Sequence, residues 1–129
     1  MKMKIFIFFP KLKGSWLLFL LFLTISVLAD VPQEQQAEVQ HLLNFVKTSS
    51  CEMIRNGSHH NGEKAASHIE RKYDYFRNKI KTTEDFIEYS ASKSTMSGKD
   101  YYVQCGDELI KTRDWLLTEL SNFRKQQAQ

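Results

Sequence analysis

The chain has 129 residues, 26% of them charged, and a formal net charge of +3 from 18 Lys+Arg and 15 Asp+Glu. Lys2, Lys4, Lys11 and Lys13 account for four of those bases, and every acid lies at Asp30 or later. From Asp30 onward the balance is therefore 14 minus 15, or −1, which argues against a nucleic-acid binder despite the basic pI of the whole chain.

Met1 to Lys13 is basic, and Leu17 to Ala29 is an almost unbroken apolar run ending in Val27-Leu28-Ala29. This is the layout of a secretory leader with small residues before the cut, so cleavage is expected after Ala29. The alternative is a retained anchor, but the apolar core is short against the roughly 20 residues of a membrane span. Residues 30–129 are then one small exported domain, placed in the periplasm.

Asp30 to Lys47 reads as the first helix, with Asp30 as its cap, Pro32 in its first turn, and Val39, Leu42, Leu43 and Val46 at i, i+3, i+4 and i+7. Cys51 to Arg55 reads as a short strand stopped by Asn56-Gly57, a strong turn dipeptide. Ser58 to Gly62 reads as a polar loop. A second helix is expected from about Glu63 to Lys79, because Ala66, Ile69, Tyr73, Phe76 and Ile80 make one apolar stripe. A third follows, capped by Thr82 or Thr83, with Glu84 and Asp85 in its first turn and Phe86 and Ile87 facing inward.

The Ser-rich stretch from Ser90 to Lys99 reads as a loop or frayed helix end. Tyr101 to Cys105 reads as a second strand closed by Gly106. Thr112 is expected to cap a last helix through about Arg124, with Leu116, Leu120 and Phe123 on one face. The two cysteines, Cys51 and Cys105, fall one on each strand, and an oxidising compartment favours their pairing. The expected fold is therefore mainly α: a small helical domain of about four helices, with a short two-stranded β element stapled by one disulfide.

Cys51-Glu52-Met53-Ile54-Arg55-Asn56-Gly57-Ser58, the run His68 to Arg77, Thr83 to Glu88, Tyr102-Val103-Gln104-Cys105 and Trp115-Leu116 occur in an order and wording that resemble the YfeK-like family of small exported bacterial proteins. The resemblance covers most of the domain. It implies a periplasmic location and a family of unknown function, with no catalytic residues to carry over. His59 to Glu63 resembles the family pattern least.

Few constellations carry chemistry. Ser90-Ala91-Ser92-Lys93 matches S-x-x-K, but the Lys-Thr-Gly strand and Ser-Asp-Asn loop that this chemistry needs are absent, so it reads as a polar segment. His59, His60 and His68 lack the ligand count and spacing of a metal site and read as surface residues. No metal or cofactor is expected. Asn56-Gly57-Ser58 is formally a glycosylation sequon and reads as a turn. The group that stands out is polar. Arg55 and Asn56 end the first strand, and His68, Lys72 and Tyr75 form a stripe at i, i+4 and i+7. Such a set suits an anionic or sugar-like ligand, through charge-assisted hydrogen bonds and ring stacking. The competing account is structural: Arg55 satisfying helix carbonyls, Lys72 paired with a Glu, Tyr75 packing its ring. Tyr101 and Tyr102 point to opposite faces, and an exposed one beside an open strand edge would suit recognition by strand addition.

Two functions follow. One is a non-catalytic binding or adaptor module that contacts another envelope protein or a cell-wall fragment. The other is a small enzyme acting on an envelope component through Arg55, His68 or Lys72 and Asp85. The enzyme requires His68 within reach of a carboxylate in a cleft, and about 100 residues leave little room for one. The binding module is the favoured reading.

Overall fold

A computed structural model describes residues 30–129, so the expected leader and its cleavage lie outside the described residues. The elements are α1 (Gln33–Thr48), β1 (Glu52–Arg55), β2 (Ser58–His60), α2 (Gly62–Tyr75), a 3-10 turn (Arg77–Lys79), α3 (Thr83–Ala91), β3 (Tyr102–Cys105), β4 (Glu108–Lys111) and α4 (Thr112–Gln127). The mainly helical fold and its stapled β element are as expected. Cys51 and Cys105 form the disulfide, closing a separation of 54 residues. β1 and β3 pair antiparallel with Met53 opposite Val103.

The β element is wider than the expected pair. Each predicted strand gains an outer partner, giving one antiparallel sheet in the order β2-β1-β3-β4. Asn56 and Gly57 both adopt positive φ, 49° and 83°, which is the backbone of a two-residue hairpin turn whose twist matches the strands it joins. Residues 58–60 are thereby returned along β1, with Ser58 opposite Arg55, so the expected polar loop is in fact β2. The strand-addition idea for Tyr102 falls with the same observation, because β3 has both edges taken, by β1 and β4.

The helices cover one face of this sheet. Met53 and Val103 point inward and are buried with Val39, Leu42, Leu43 and Val46 of α1, Ala66, Ile69 and Tyr73 of α2, Phe86 and Ile87 of α3, and Leu116 and Leu120 of α4. Each helix thus buries most of the stripe that its spacing marks, but α2 stops at Tyr75, short of the expected Lys79, so Phe76 and Ile80 meet the core from beyond its end. Ile54 and Tyr102, opposite one another on neighbouring strands, lie on the other face.

Local caps differ from expectation in two places. Pro32, not Asp30, precedes α1. The Asp30 carboxylate instead accepts from the Val31 N–H, the Tyr73 hydroxyl and Arg77, at 2.7–2.8 Å, so a tertiary clamp displaces the cap. Thr112 is the first residue of α4 rather than its cap, which is Lys111. Asn61 and Thr82 do cap, accepting from the Lys64 and Asp85 N–H groups. The Ser-rich stretch is also more ordered than its composition suggests. Ser90 and Ala91 finish α3, and Ser90, Ser92 and Ser94 are buried. The Lys93 and Asp100 backbones pair as an isolated antiparallel bridge, and Ser94 closes a turn with the Gly98 and Lys99 backbone.

Candidate functional site

Three of the five singled-out residues, Arg55, His68 and Lys72, come together where α2 crosses the end of β1. The Tyr101 hydroxyl, just before β3, lies among them. It lies 3.1 Å from His68 Nε2 and 3.5 Å from Lys72 Nζ. Arg55 Nη1 approaches the same His68 nitrogen at 3.5 Å, and Arg55 Nε is buried without a protein partner. Asn56 sits beside this group: its side chain donates to Ser94 Oγ at 3.4 Å and accepts from Ser97 Oγ at 2.7 Å. Tyr75 does not join. It is 79% exposed, and its ring meets Phe76 edge-on at 4.8 Å between centroids.

The cluster's electrostatics are one-sided. Burial, then the charges of Arg55 and Lys72, hold His68 at about 4. Its ring is therefore neutral at pH 7; since a guanidinium can only donate, Nε2 is the acceptor nitrogen, its one lone pair facing both Arg55 and the Tyr101 hydroxyl. His68 is half-buried rather than a surface histidine. Burial, then Arg55 and Lys93, bring Lys72 down to about 8, and burial raises the Tyr101 phenol. Lys72 remains mostly charged at neutral pH. Its ammonium donates to the Lys93 carbonyl at 2.6 Å and sits 5.1 Å from the Tyr101 ring centroid. Of its three N–H bonds, one goes to that carbonyl and one to the Tyr101 oxygen, leaving one for a ligand.

Among the described residues, Arg55, Lys72 and Lys93 form no ion pair with a carboxylate. The Lys72–Glu pair of the competing structural account is not seen among the described residues. The hydrogen-bond partners of His68 are Arg55 and Tyr101, whereas Asp85 accepts from the Lys81 N–H at the start of α3. Of the other candidates, Ser90 of the S-x-x-K match is fully buried, with its hydroxyl lacking a protein partner. His59 pairs with Glu52 at 3.2 Å. No group of three or more His, Cys, Asp or Glu residues able to hold a metal occurs among the described residues.

Lys72 opens onto a groove of about 480 Å³. Phe76 and Tyr89 form an aromatic wall, their centroids 5.5 Å apart. Lys93, Ser94 and Thr95 line the other side, and Glu88 stands on the lining but is paired with Arg113 at 3.0 Å. Tyr101, Lys93, Phe76 and Tyr89 belong to this site without having been singled out for it. The only hint in the sequence is that Lys93 follows Ser90 at one helical turn.

A family of unknown function, DUF5329, matches residues 33–124. The chain belongs to this family. A relative in Salmonella typhimurium (strain LT2), an uncharacterized protein named YfeK, is 38% identical over 82 residues, covering 63% of this chain and 68% of the relative. The resemblance read from the sequence is thus confirmed. No solved structure matches the chain. The DUF5329 match spans every element from α1 to β4 and most of α4, so the groove lies wholly within the family domain.

Proposed function

We propose that this DUF5329 protein is a non-catalytic binding module of the bacterial envelope, working in the periplasm, and that its ligand presents an anionic group to Lys72 and Lys93. One observation carries the reading: Lys72 and Lys93 line the groove, Arg55 stands behind Lys72 against His68, and none of the three has a carboxylate partner among the described residues. Crowding like charges in a half-buried place costs free energy, as the depression of Lys72 records. A bound anion repays that cost, and it is the chemistry a mutually repelling set of cations recognises.

Export is supported by the disulfide. The neutral His68 faces Arg55 and a phenol instead of a carboxylate, so its partners do not favour the general-base role that an enzyme reading requires. Of the two partner classes, a soluble cell-wall fragment fits better than another envelope protein, because the anion-receiving groups line a groove beside aromatic rings. The test is calorimetric titration of the full exported chain, recovered from the periplasm, with a soluble cell-wall digest. Binding that is lost in Lys72→Met and weakened in Lys93→Met is expected. Binding unaltered by both substitutions would remove the reading.

A further inference from the structure

A second open groove, of about 550 Å³, lies on the other side of the Ser94–Lys99 turn. The two grooves share Gly98. Each offers the same kinds of group. The first has Lys72 and Lys93 beside Phe76 and Tyr89, and the second has Lys99 beside Tyr102, with the Asn56 amide at its edge. Each also contains one acid, already neutralised from outside: Glu88 by Arg113 at 3.0 Å, and Asp100 by Lys111 at 3.2 Å. The lysines are left as the uncompensated charge on both sides of the turn.

The ridge between the grooves is fixed. The Ser94 N–H donates to the Lys99 carbonyl and the Gly98 N–H to the Ser94 carbonyl, both at 2.9 Å. Asn56, at the tip of the β1–β2 hairpin, ties down Ser94 and Ser97 through its side chain. Gly98, which lines both grooves, has nothing within 4 Å of where a Cβ would stand.

We infer that the ligand is a linear glycan carrying carboxylates on successive repeats, which lies across the Ser94–Lys99 turn and fills both grooves. This rests on the anion-binding reading above and names the class of ligand. A repeated pairing of lysine with an aromatic ring matches a chain in which acidic groups alternate with flat sugar faces, whose C–H edges pack on the ring. A peptide is the poorer match. It would look for backbone partners, and β1 and β3, the strands under the second groove, have both edges paired within the sheet.

The experiment uses the full exported chain with two probes: a peptide-free disaccharide of N-acetylglucosamine and lactyl-bearing N-acetylmuramic acid, and its three-repeat hexasaccharide. The hexasaccharide is expected to bind roughly tenfold tighter or better, because the second contact becomes intramolecular. Lys99→Met, at an exposed position, should reduce the hexasaccharide to the disaccharide's affinity. Lys72→Met should weaken both. Equal affinity for the two probes, still sensitive to Lys72→Met, would overturn the two-groove inference and leave the anion groove standing. Failure of both probes to bind, or tighter binding of a poly-glutamate peptide of equal charge, would overturn the glycan assignment. A disaccharide affinity indifferent to Lys72→Met would overturn the anion groove as well.

Discussion

Gly62 opens α2 directly against the end of α1, and replacing it with alanine tests how tightly that joint is made. A Cβ at this position would stand 2.5 Å from the Val46 carbonyl oxygen, 2.7 Å from that of Lys47 and 3.0 Å from that of Ser49. Carbon and oxygen in comfortable contact sit at about 3.3 Å or more, so the two helix ends would have to part by roughly 0.8 Å. On propensity alone Gly62→Ala would be worth up to about 1 kcal/mol in the protein's favour, less in a first turn. Overpacking a filled site costs about 1–3 kcal/mol, and the obstructing atoms are main-chain carbonyls that no rotamer change can move, which places this case at the upper end. The net expectation is a loss of about 2 kcal/mol, equivalent to about 10 °C in melting temperature for a domain of this size. Urea unfolding followed by far-ultraviolet circular dichroism gives the number. An alanine variant as stable as the wild type, or more so, would refute the argument.

Three further outcomes are expected. Replacing both cysteines by serine should cost about 4 kcal/mol in the chain-entropy treatment of a loop this long; an unfolding free energy within about 1 kcal/mol of the wild type would show that β1 and β3 hold without their staple. His68 is held at about 4 in the folded chain against 6.5 without its surroundings, so the unfolded chain takes up the proton first as pH falls. The stability from burying the neutral ring is fully present above pH 6.5 and is lost on descending toward pH 4, by about 1–2 kcal/mol after allowing for solvent screening at a half-buried site. The loss should shrink in His68→Gln, and an identical pH slope in that variant would assign the effect elsewhere. Thr112 is fully buried and its hydroxyl has no protein partner, so Thr112→Val should stabilise by about 1 kcal/mol, with a lower urea midpoint counting against it.

The helices were legible because each carries a periodic apolar stripe that its neighbours bury, as Val39, Leu42, Leu43 and Val46 do in α1. The central strands were legible because each carries an apolar inward residue, Met53 or Val103, and a cysteine. β2 and β4 were not, since Ser58-His59-His60 has no apolar residue and Glu108 to Lys111 is mostly exposed. What fixes β2 is the Asn56-Gly57 turn, which requires a returning partner whatever its composition. Asp30 and Thr112 have the chemistry of caps, but Tyr73 and Arg77 claim the first and burial under the sheet and helices claims the second. In the site, helical spacing brings His68 and Lys72 together, whereas Tyr101 and Lys93 arrive through contacts between elements distant in sequence. Tyr75 keeps the spacing of that stripe, yet it is the last residue of α2 and its ring lies exposed beside Phe76.

On the proposed reading, a ligand's anionic group enters the groove walled by Phe76 and Tyr89 and is received by Lys72 and Lys93. The decisive measurement is backbone chemical-shift mapping of the isotope-labelled protein titrated with the acidic disaccharide. Saturable shifts are expected at Lys72, Phe76, Tyr89 and residues 93–95, and none in Lys72→Met. Shifts centred on another surface, or none at millimolar disaccharide (the weak limit of specific binding, about −4 kcal/mol), would contradict it.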